Sequence, residues 1–455
     1  MSAGDVEGFA IDPTKVRAWK RYPAYKDSGV EWLGEVPAGW EVKWLKHIST
    51  VNDDTLSENT PPDYRVLYVD ISNVDPIEGI QNIEEMTFEK SPSRARRIVQ
   101  SGDVIVSTVR TYLRAIAPIV DPPENLIVST GFAVIRPNSR FDSRFAGYTL
   151  RGSHFIESVV ARSEGVSYPA INASELVSLK IPLPPLPEQH VIAAFLDRET
   201  ARIDALIEKK HRFIELLKEK RQAIINHAVT KGLDQDAEMK DSGVEWIGEV
   251  PTHWDVINLK QSWDVIDCKH RTAEYVDDGI PIVSTTEVKP GRLSLENTRL
   301  TTESEYLDLI QGRCPKKGDI VLSRNASLGS AAYVDTDQKF CMGQDVCLVK
   351  SKDCSQLYLT YQINSPIVQN QIVSTMVGAT IRRINVNQIK NLLVVKPPRV
   401  EQELIGQFLD CETAKIDTVT NTINQQIERL QEYRTALISA AVTGKIDVRG
   451  EGEAA

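Results

Sequence analysis

The sequence predicts a mixed α/β (α+β) chain: two tandem globular domains separated by two long helices that form an intramolecular antiparallel coiled coil, with a pseudo-twofold internal repeat. Three observations predict it. A long-period duplication spans the chain, β-branched runs broken by turn residues lie between its anchors, and a stretch of about 40 residues with helical period follows each β-rich region.

The duplication comes first. Lys26-Asp27-Ser28-Gly29-Val30-Glu31-Trp32 recurs letter for letter as Lys240-Asp241-Ser242-Gly243-Val244-Glu245-Trp246, an offset of 240 − 26 = 214. Phe195-Leu196-Asp197 returns as Phe408-Leu409-Asp410, offset 213, and Ala228-Val229-Thr230 as Ala441-Val442-Thr443, also 213. Between these anchors the halves agree in pattern more than identity, as in Gly102-Asp103-Val104-Ile105-Val106-Ser107 against Gly318-Asp319-Ile320-Val321-Leu322-Ser323. Drift of an old duplication and variable loops on a constant frame both produce this pattern.

The boundaries expected are an N-terminal extension over 1–25, domain 1 over 26–186, a first long helix within 187–232, domain 2 over 233–399, a second long helix within 400–445, and a disordered tail over 446–455. In domain 1, Val66–Val69, Val104–Val106 and Phe132–Ile135 read as strands, with a helical stretch near Phe145 to Val160. In domain 2, Ile280–Val283, Ile320–Leu322 and Val346–Val349 read as strands, with a helix near Leu357 to Val373.

Each domain ends in prolines (Pro182, Pro184, Pro185 and Pro187; Pro397 and Pro398), after which Glu188-Gln189 and Glu401-Gln402 open a helix. Proline before the first turn and an acid at the positive end of the dipole are start signals. The helices are expected over about Glu188 to Val229 and Glu401 to Val442, roughly 60 Å at 1.5 Å per residue. An apolar seam is predicted along Ile203, Leu206, Phe213, Leu217 and Ile224 in the first, interrupted by Lys210 and Lys220. In the second it is predicted at the seven-residue spacing of Ile416, Ile423, Leu430 and Leu437.

Composition bounds the function. Apolar residues make up 41% and charged residues 25%, in the range of folded proteins, and the net charge is −10. Bulk positive charge of the kind that coats nucleic acid is excluded, so any nucleic-acid contact must be local. No apolar run approaches the roughly 18 to 20 residues of a membrane span, and the expected location is the cytoplasm. The six cysteines, Cys268, Cys314, Cys341, Cys347, Cys354 and Cys411, form no Cys-x-x-Cys pair, so neither disulfides nor a structural zinc is expected.

The search for catalysis is negative. No phosphate loop or dinucleotide turn is present. Asp121-Pro122-Pro123-Glu124 has Glu where an amino-methyltransferase carries the aromatic that stacks on a flipped base, and it reads as a loop. Asp267-Cys268-Lys269 lacks the preceding carboxylates of a metal nuclease. The histidines are scattered, and His190, His211 and His227 read as solvated positions on a helix. No catalytic residue, metal site or cofactor site is assigned to this chain.

Cations group at loops in both domains: Arg94, Arg96, Arg97, Arg110 and Arg114 with Tyr112 in the first, and Lys269, His270, Arg271, Arg313, Lys316, Lys317, Arg324 with Asn325, Arg382 and Arg383 in the second. Each singly is a common solvated charge, but together they suit phosphate positioning and base-edge contact in DNA. Asn172 and Asn385 are expected to cap the short helices that follow, with Ile171 and Ile384 in the core.

With these motifs in place, Tyr25–Pro37 with Trp40, and Ile181-Pro182-Leu183-Pro184-Pro185-Leu186-Pro187-Glu188-Gln189 with Phe195-Leu196-Asp197, resemble the opening and the domain-to-helix junction of type I restriction-modification specificity subunits. The junction departs from the pattern in the second half, at Val395 to Gln402. The resemblance implies a non-catalytic subunit whose two target-recognition domains each read one half of a bipartite asymmetric site in double-stranded DNA. It implies that the helices set the spacer and dock two modification (methyltransferase) subunits, joined by restriction (translocase and nuclease) subunits. S-adenosylmethionine, ATP and Mg2+ are then expected on the partner subunits. A coiled-coil scaffold and a self-sufficient methyltransferase or nuclease are the disfavoured alternatives.

Overall fold

The seven residues repeated without change fold the same way twice. In a computed structural model, which describes residues 19–165, 168–325, 329–375 and 383–451, Tyr25–Asp27 pairs antiparallel with Glu35–Pro37, and Met239–Asp241 with Glu249–Pro251. Gly29 and Gly243 take φ of 66° and 73°, a left-handed conformation that favours glycine, and each amide donates to the carboxylate two residues back, Asp27 or Asp241, at 2.9 Å. Among the described residues nothing lies within 4 Å of where a Cβ would stand on either, so the glycines answer to backbone angle and not to space.

The chain divides into two compact units, residues 1–210 with 424–455, and residues 211–423, so that each unit holds one half of each long helix. In the first, Ile116–Pro118, Val104–Ser107, Phe132–Pro137 and Ser49–Val51 form an antiparallel sheet in that order. A second sheet runs Glu84–Thr87, Arg65–Val69, Leu126–Ser129, Ala95–Ile98, its central pair parallel. The stretch expected as one helix is two, α1 (Ser143–Arg151) and α2 (Ser153–Ala161), because Gly152 adopts an extended conformation between them. Asn172 caps α3 (Ala173–Leu176) by accepting from the Glu175 amide at 2.8 Å, behind a buried Ile171. Asp121 to Glu124 lies in a loop between strands. The long helix α4 spans Leu186–Lys231.

The second unit repeats this plan with different strand partners. Its larger sheet has six strands, ordered Trp263–Asp267, Val346–Ser351, Ile320–Ser323, Ala331–Tyr333, Gly291–Leu293, Val288–Lys289. A three-stranded sheet runs Arg299–Thr301, Ile280–Val283, Cys341–Met342 and is flanked by α5 (Glu303–Leu309). Again two helices stand where one was expected, α6 (Gln356–Ile363) and α7 (Pro366–Ser374), because Pro366 starts a new helix. Asn385 caps α8 (Val386–Lys390), behind a buried Ile384. The second long helix, α9, spans Arg399–Val442.

The Glu-Gln dipeptides that open α4 and α9 are clamps. Glu188 accepts from the indole of buried Trp40 at 3.0 Å and from Tyr22 at 2.7 Å, while Glu401 accepts from Trp254 at 2.9 Å and His253 at 2.8 Å. Gln189 and Gln402, both fully buried, each accept the backbone amide that leads into the preceding helix pair and donate to a proline carbonyl five residues back. The repeated aspartates act in parallel: Asp197 accepts from Tyr148 at 2.8 Å and Asp410 from Tyr361 at 3.3 Å.

Within the first unit α4 and α9 run antiparallel, with Asp204 bonded to Arg434 at 2.9 Å and Lys210 to Gln426 at 2.5 Å; within the second, Arg221 pairs with Asp417. The seam includes the expected Ile203, Leu217, Ile416, Ile423, Leu430 and Leu437, all buried, and Leu206 and Ile224, partly so. Phe213 corrects the expectation: it is 47% exposed and Ile214 is buried in its place. The reason is Lys210. Buried residues at 203, 210, 214 and 217 keep steps of four and three only if the lysine occupies a seam position, so reading it as an interruption shifted the stripe by one residue.

Two terminal expectations also change. Trp19 and Tyr22, placed in an extension, pack in the first unit's core, and so do Ile446 and Val448 from the supposed tail. The Asp447 amide donates to the Lys20 carbonyl at 2.8 Å. The helix ends explain this. Gly444 follows α9 at φ 70° and fits against Pro37 and Trp40, as Gly232 follows α4 at φ 79° and fits against Trp254.

Candidate nucleic-acid interface

In the first unit Arg94 sits at a strand end and Arg110 and Arg114 on a turn, whereas Arg96 and Arg97, expected at a loop, lie within the strand Ala95–Ile98. Arg94 precedes the strand Ala95–Ile98 and is pinned by Tyr68 at 3.0 Å and Asp70 at 2.6 Å. The Tyr68 hydroxyl first, then Asp70, hold it firmly charged. Arg96 lies 4.7 Å over the Phe88 ring and donates to its neighbour's carbonyl, that of Ala95. Arg97 is half-buried, its Nε has no partner, and burial lowers its pKa.

Between Val104–Ser107 and Ile116–Pro118 a tight turn carries Arg110, Tyr112 and Arg114. Arg110 and Arg114 are left-handed, at φ 51° and 54°, with a single 3-10 turn, Thr111–Leu113, between them. Non-glycine residues seldom adopt this conformation, and clusters of it mark functional loops. Val109, Tyr112 and Leu113 are exposed, Tyr112 by 52%, and Arg110 stands 5.0 Å over the Tyr168 ring, itself 65% exposed. No carboxylate faces Arg110 or Arg114 among the described residues.

Most of the second unit's candidate cations are committed to acids. Lys269 and Arg271 both bond Asp308 at 2.6 Å, Arg271 also reaches Glu305 at 2.7 Å, and Lys317 pairs with Asp337 at 3.2 Å. Arg383 pairs with Asp345 at 2.8 Å, Arg313 donates to the Asp267 carbonyl at 2.6 Å, and Lys316 is exposed. Arg324, expected at the surface, is instead 4% exposed. It bonds the Asp267 carboxylate and the Ile384 carbonyl, holding the core strand to the segment before α8. Its position one residue after a fully buried strand end made burial the physical default. Asn325 follows it, and Arg382 lies outside the described residues.

Asp267, Cys268 and His270 bring ligand-type atoms within 4.8 Å of one another. One oxygen of Asp267 is taken by Arg324 and the other by His270 at 3.0 Å, while burial pushes the Cys268 thiol up. The carboxylate is thus committed to a cation, which fits a structural ion pair better than a metal. The sequence reading missed Arg299, exposed on an edge strand with its guanidinium 4.7 Å over Tyr275. An isolated arginine carries no local signal, since only the fold brings the ring beneath it.

Comparisons with known proteins agree with this architecture. The family model described as the type I restriction modification DNA specificity domain matches residues 37–216 and again 251–429. The type I restriction enzyme MjaVIII specificity subunit of Methanocaldococcus jannaschii is 25% identical over 72% of this chain and 75% of its own length. The EcoBI specificity subunit of Escherichia coli is 23% identical over 69% of this chain and 68% of its own. Among solved structures, a chain from work on complex assembly and conformational transition of the type I R-M system superposes with a TM-score of 0.65 at 23% identity, covering 90% of this chain and 98% of that one. The HsdS subunit from Thermoanaerobacter tengcongensis gives 0.50 at 21% identity, with the same coverage. Two matched domains over most of the length, each closed by the Glu-Gln clamp onto a long helix, make the chain a member of the type I restriction-modification DNA specificity family.

Proposed function

We propose that this chain is the DNA-reading subunit of a type I restriction-modification complex, in which each β-rich domain reads one half of a bipartite asymmetric site. The carrying observation is one scaffold built twice with unlike loops: the hairpin, the clamp and the Tyr–Asp bond recur, while the cation-bearing loops between them differ in sequence and in partners. A frame held constant with its loops varied is how one fold carries two specificities. No catalytic role is assigned to its residues. Methyl transfer from S-adenosylmethionine and ATP-driven, Mg2+-dependent translocation and cleavage belong, on this reading, to two modification subunits and to restriction subunits docked on the helices.

The long helices act as a ruler, since a helix converts residues to length at about 1.5 Å each. Inserting one heptad into each helix, between Ile203 and Ile224 in α4 and at the facing stretch of α9, is expected to change the spacer and leave both half-sites intact. Methylation mapping of genomic DNA from cells carrying the chain with its modification subunit reads both. Changed half-sites with an unchanged gap would remove the ruler, and an absence of sequence-specific methylation would remove the function.

A further inference from the structure

We infer that Arg110 is the residue of the first domain that reads a guanine, with Tyr168 as the positioning residue that seats it. The inference rests on the DNA-reading function proposed above and deepens it. A base-reading arginine needs a free donor edge, no competing acid, and a side chain already held in place, because a bidentate pair to guanine O6 and N7 tolerates little motion. A phosphate contact asks only for charge within reach.

The five candidate arginines of the first domain, Arg94, Arg96, Arg97, Arg110 and Arg114, separate on these criteria. Arg94 has two of its three nitrogens committed to Tyr68 and Asp70. Arg96 donates to the Ala95 carbonyl and is half-buried, and Arg97 is half-buried and donates to the Thr55 hydroxyl at 3.4 Å. Arg114 is exposed, with neither ring nor acid to hold it among the described residues, which suits a phosphate. Arg110 alone among the five is exposed, has no ion pair among the described residues and lies over an aromatic face. Stacking occupies the face of the guanidinium and leaves its in-plane edge open.

Both members of the pair are fixed from below. Thr108 donates twice to the Gly131 carbonyl, through N at 2.8 Å and Oγ1 at 2.9 Å, and its own carbonyl accepts from the Ile171 amide at 2.9 Å. The Thr111 hydroxyl reaches Ser163 at 2.8 Å, and Val109 bridges to Ala170. On the other side, Glu164 and Ala170 exchange amide bonds of 2.9 Å, which holds the backbone two residues after Tyr168. The left-handed backbone at residue 110 is therefore imposed by anchors on either side, and it turns a guanidinium outward over a ring that the same anchors hold.

The test uses the full chain assembled with its modification subunits, a site selection from randomised duplexes, and 7-deazaguanine scanning of the selected site. Arg110→Lys keeps the charge and loses the fork. The expected result is loss of one guanine preference in one half-site, with affinity for the selected site down on the order of tenfold to a hundredfold. Non-specific binding and the slope of log K against log salt stay unchanged, which also reports that the variant is folded. In the wild type, 7-deazaguanine at that position reproduces the loss, and in Arg110→Lys it adds nothing. Tyr168→Phe retains the ring and behaves as wild type, whereas Tyr168→Leu relaxes the same position. A selected site whose consensus survives Arg110→Lys, or that contains no 7-deazaguanine-sensitive position in the affected half, overturns the assignment alone. A wild-type complex that selects no sequence overturns the underlying function, and the assignment with it.

Discussion

The two units share a scaffold and differ in how many of their loop cations are paired with acids. In the first, Arg94 meets Asp70 but Arg110 and Arg114 stand on a strained turn with no ion pair among the described residues; in the second, Lys269, Arg271, Lys317, Arg324 and Arg383 each meet a carboxylate. Clustered basic residues in a sequence therefore mean different things in two copies of one fold. Where an acid sits in ion-pair contact, the charge is spent inside the protein and its field outside is largely cancelled. The division of labour between half-sites should follow: strong electrostatic attachment through the first domain, and a larger share of neutral or shape-based reading through the second.

The sharpest break between the two uses of arginine is Arg324. Its replacement by alanine leaves Asp267 without its buried partner and frees the Ile384 carbonyl, an expected loss of about 3 kcal/mol in stability. Urea unfolding measures it. The salt dependence of DNA binding, taken at a temperature where the variant is folded, is expected to match the wild type. A stable variant with a shallower salt slope would return Arg324 to the DNA surface.

A second contrast lies at the start of equivalent helices, where α2 carries His154 and α7 carries Ile367. Ile367 is buried in an apolar cluster, whereas His154 stacks on Trp32 with both ring nitrogens buried and unbonded. Burial first, and Lys445 nearby, push the His154 pKa down to about 4. Between that value and the ordinary 6.5, the unfolded chain binds a proton that the folded chain refuses, so stability falls as pH drops through this window, by up to about 1.4 kcal/mol per pH unit. His154→Ile is expected to remove this acid sensitivity while the wild type keeps it, as urea unfolding at pH 7 and pH 5 would show. Parallel behaviour at both pH values would mean that water reaches the ring.

The long helices offer a milder version. Lys210 sits in the seam where the repeat places Ile423 in the partner helix, and burial lowers its pKa. In the alkaline range below the ordinary lysine value of 10.5, the unfolded chain holds more protons, so this group's contribution improves as pH rises. Lys210→Ile is expected to add about 1 kcal/mol at neutral pH, with a gain that shrinks toward pH 10. A gain that stays level would show that the ammonium is well solvated by Gln426 and water.

What could be read from the sequence follows from range. The duplication, the helix limits to within two residues, the strands and the asparagine caps are all local or periodic signals, and each was legible. Phe213 and Lys210 were misread because a polar residue in a seam breaks an apolar count without breaking the geometry. The clamps of Glu188 and Glu401 span about 150 residues to Trp40 and Trp254, and no spacing rule reaches that far. The interface was the least legible part. Whether Arg324 or Arg110 faces water depends on Asp267, Ile384 and Tyr168, which lie between about 55 and 60 residues away and are brought near only by the sheets.

The smallest expected effect tests the contrast from the other side, by releasing charges instead of removing them. Asp308 accepts from both Lys269 and Arg271, and all three groups are at least a quarter exposed, so the cluster adds little to stability while holding two cations away from a phosphate. Asp308→Asn removes one negative charge and leaves Arg271 tied only to Glu305. Binding to any duplex is expected to tighten severalfold at low salt, with the slope of log K against log salt steeper by about one, as for one added phosphate contact. The selected sequence is expected to stay the same, because a charge gained at the rim positions DNA without reading it. If Asp308→Asn leaves the slope unaltered, the Lys269 to Arg271 loop faces away from the DNA, and the second domain reads its half-site through other residues, with exposed Arg299 over Tyr275 the first to test.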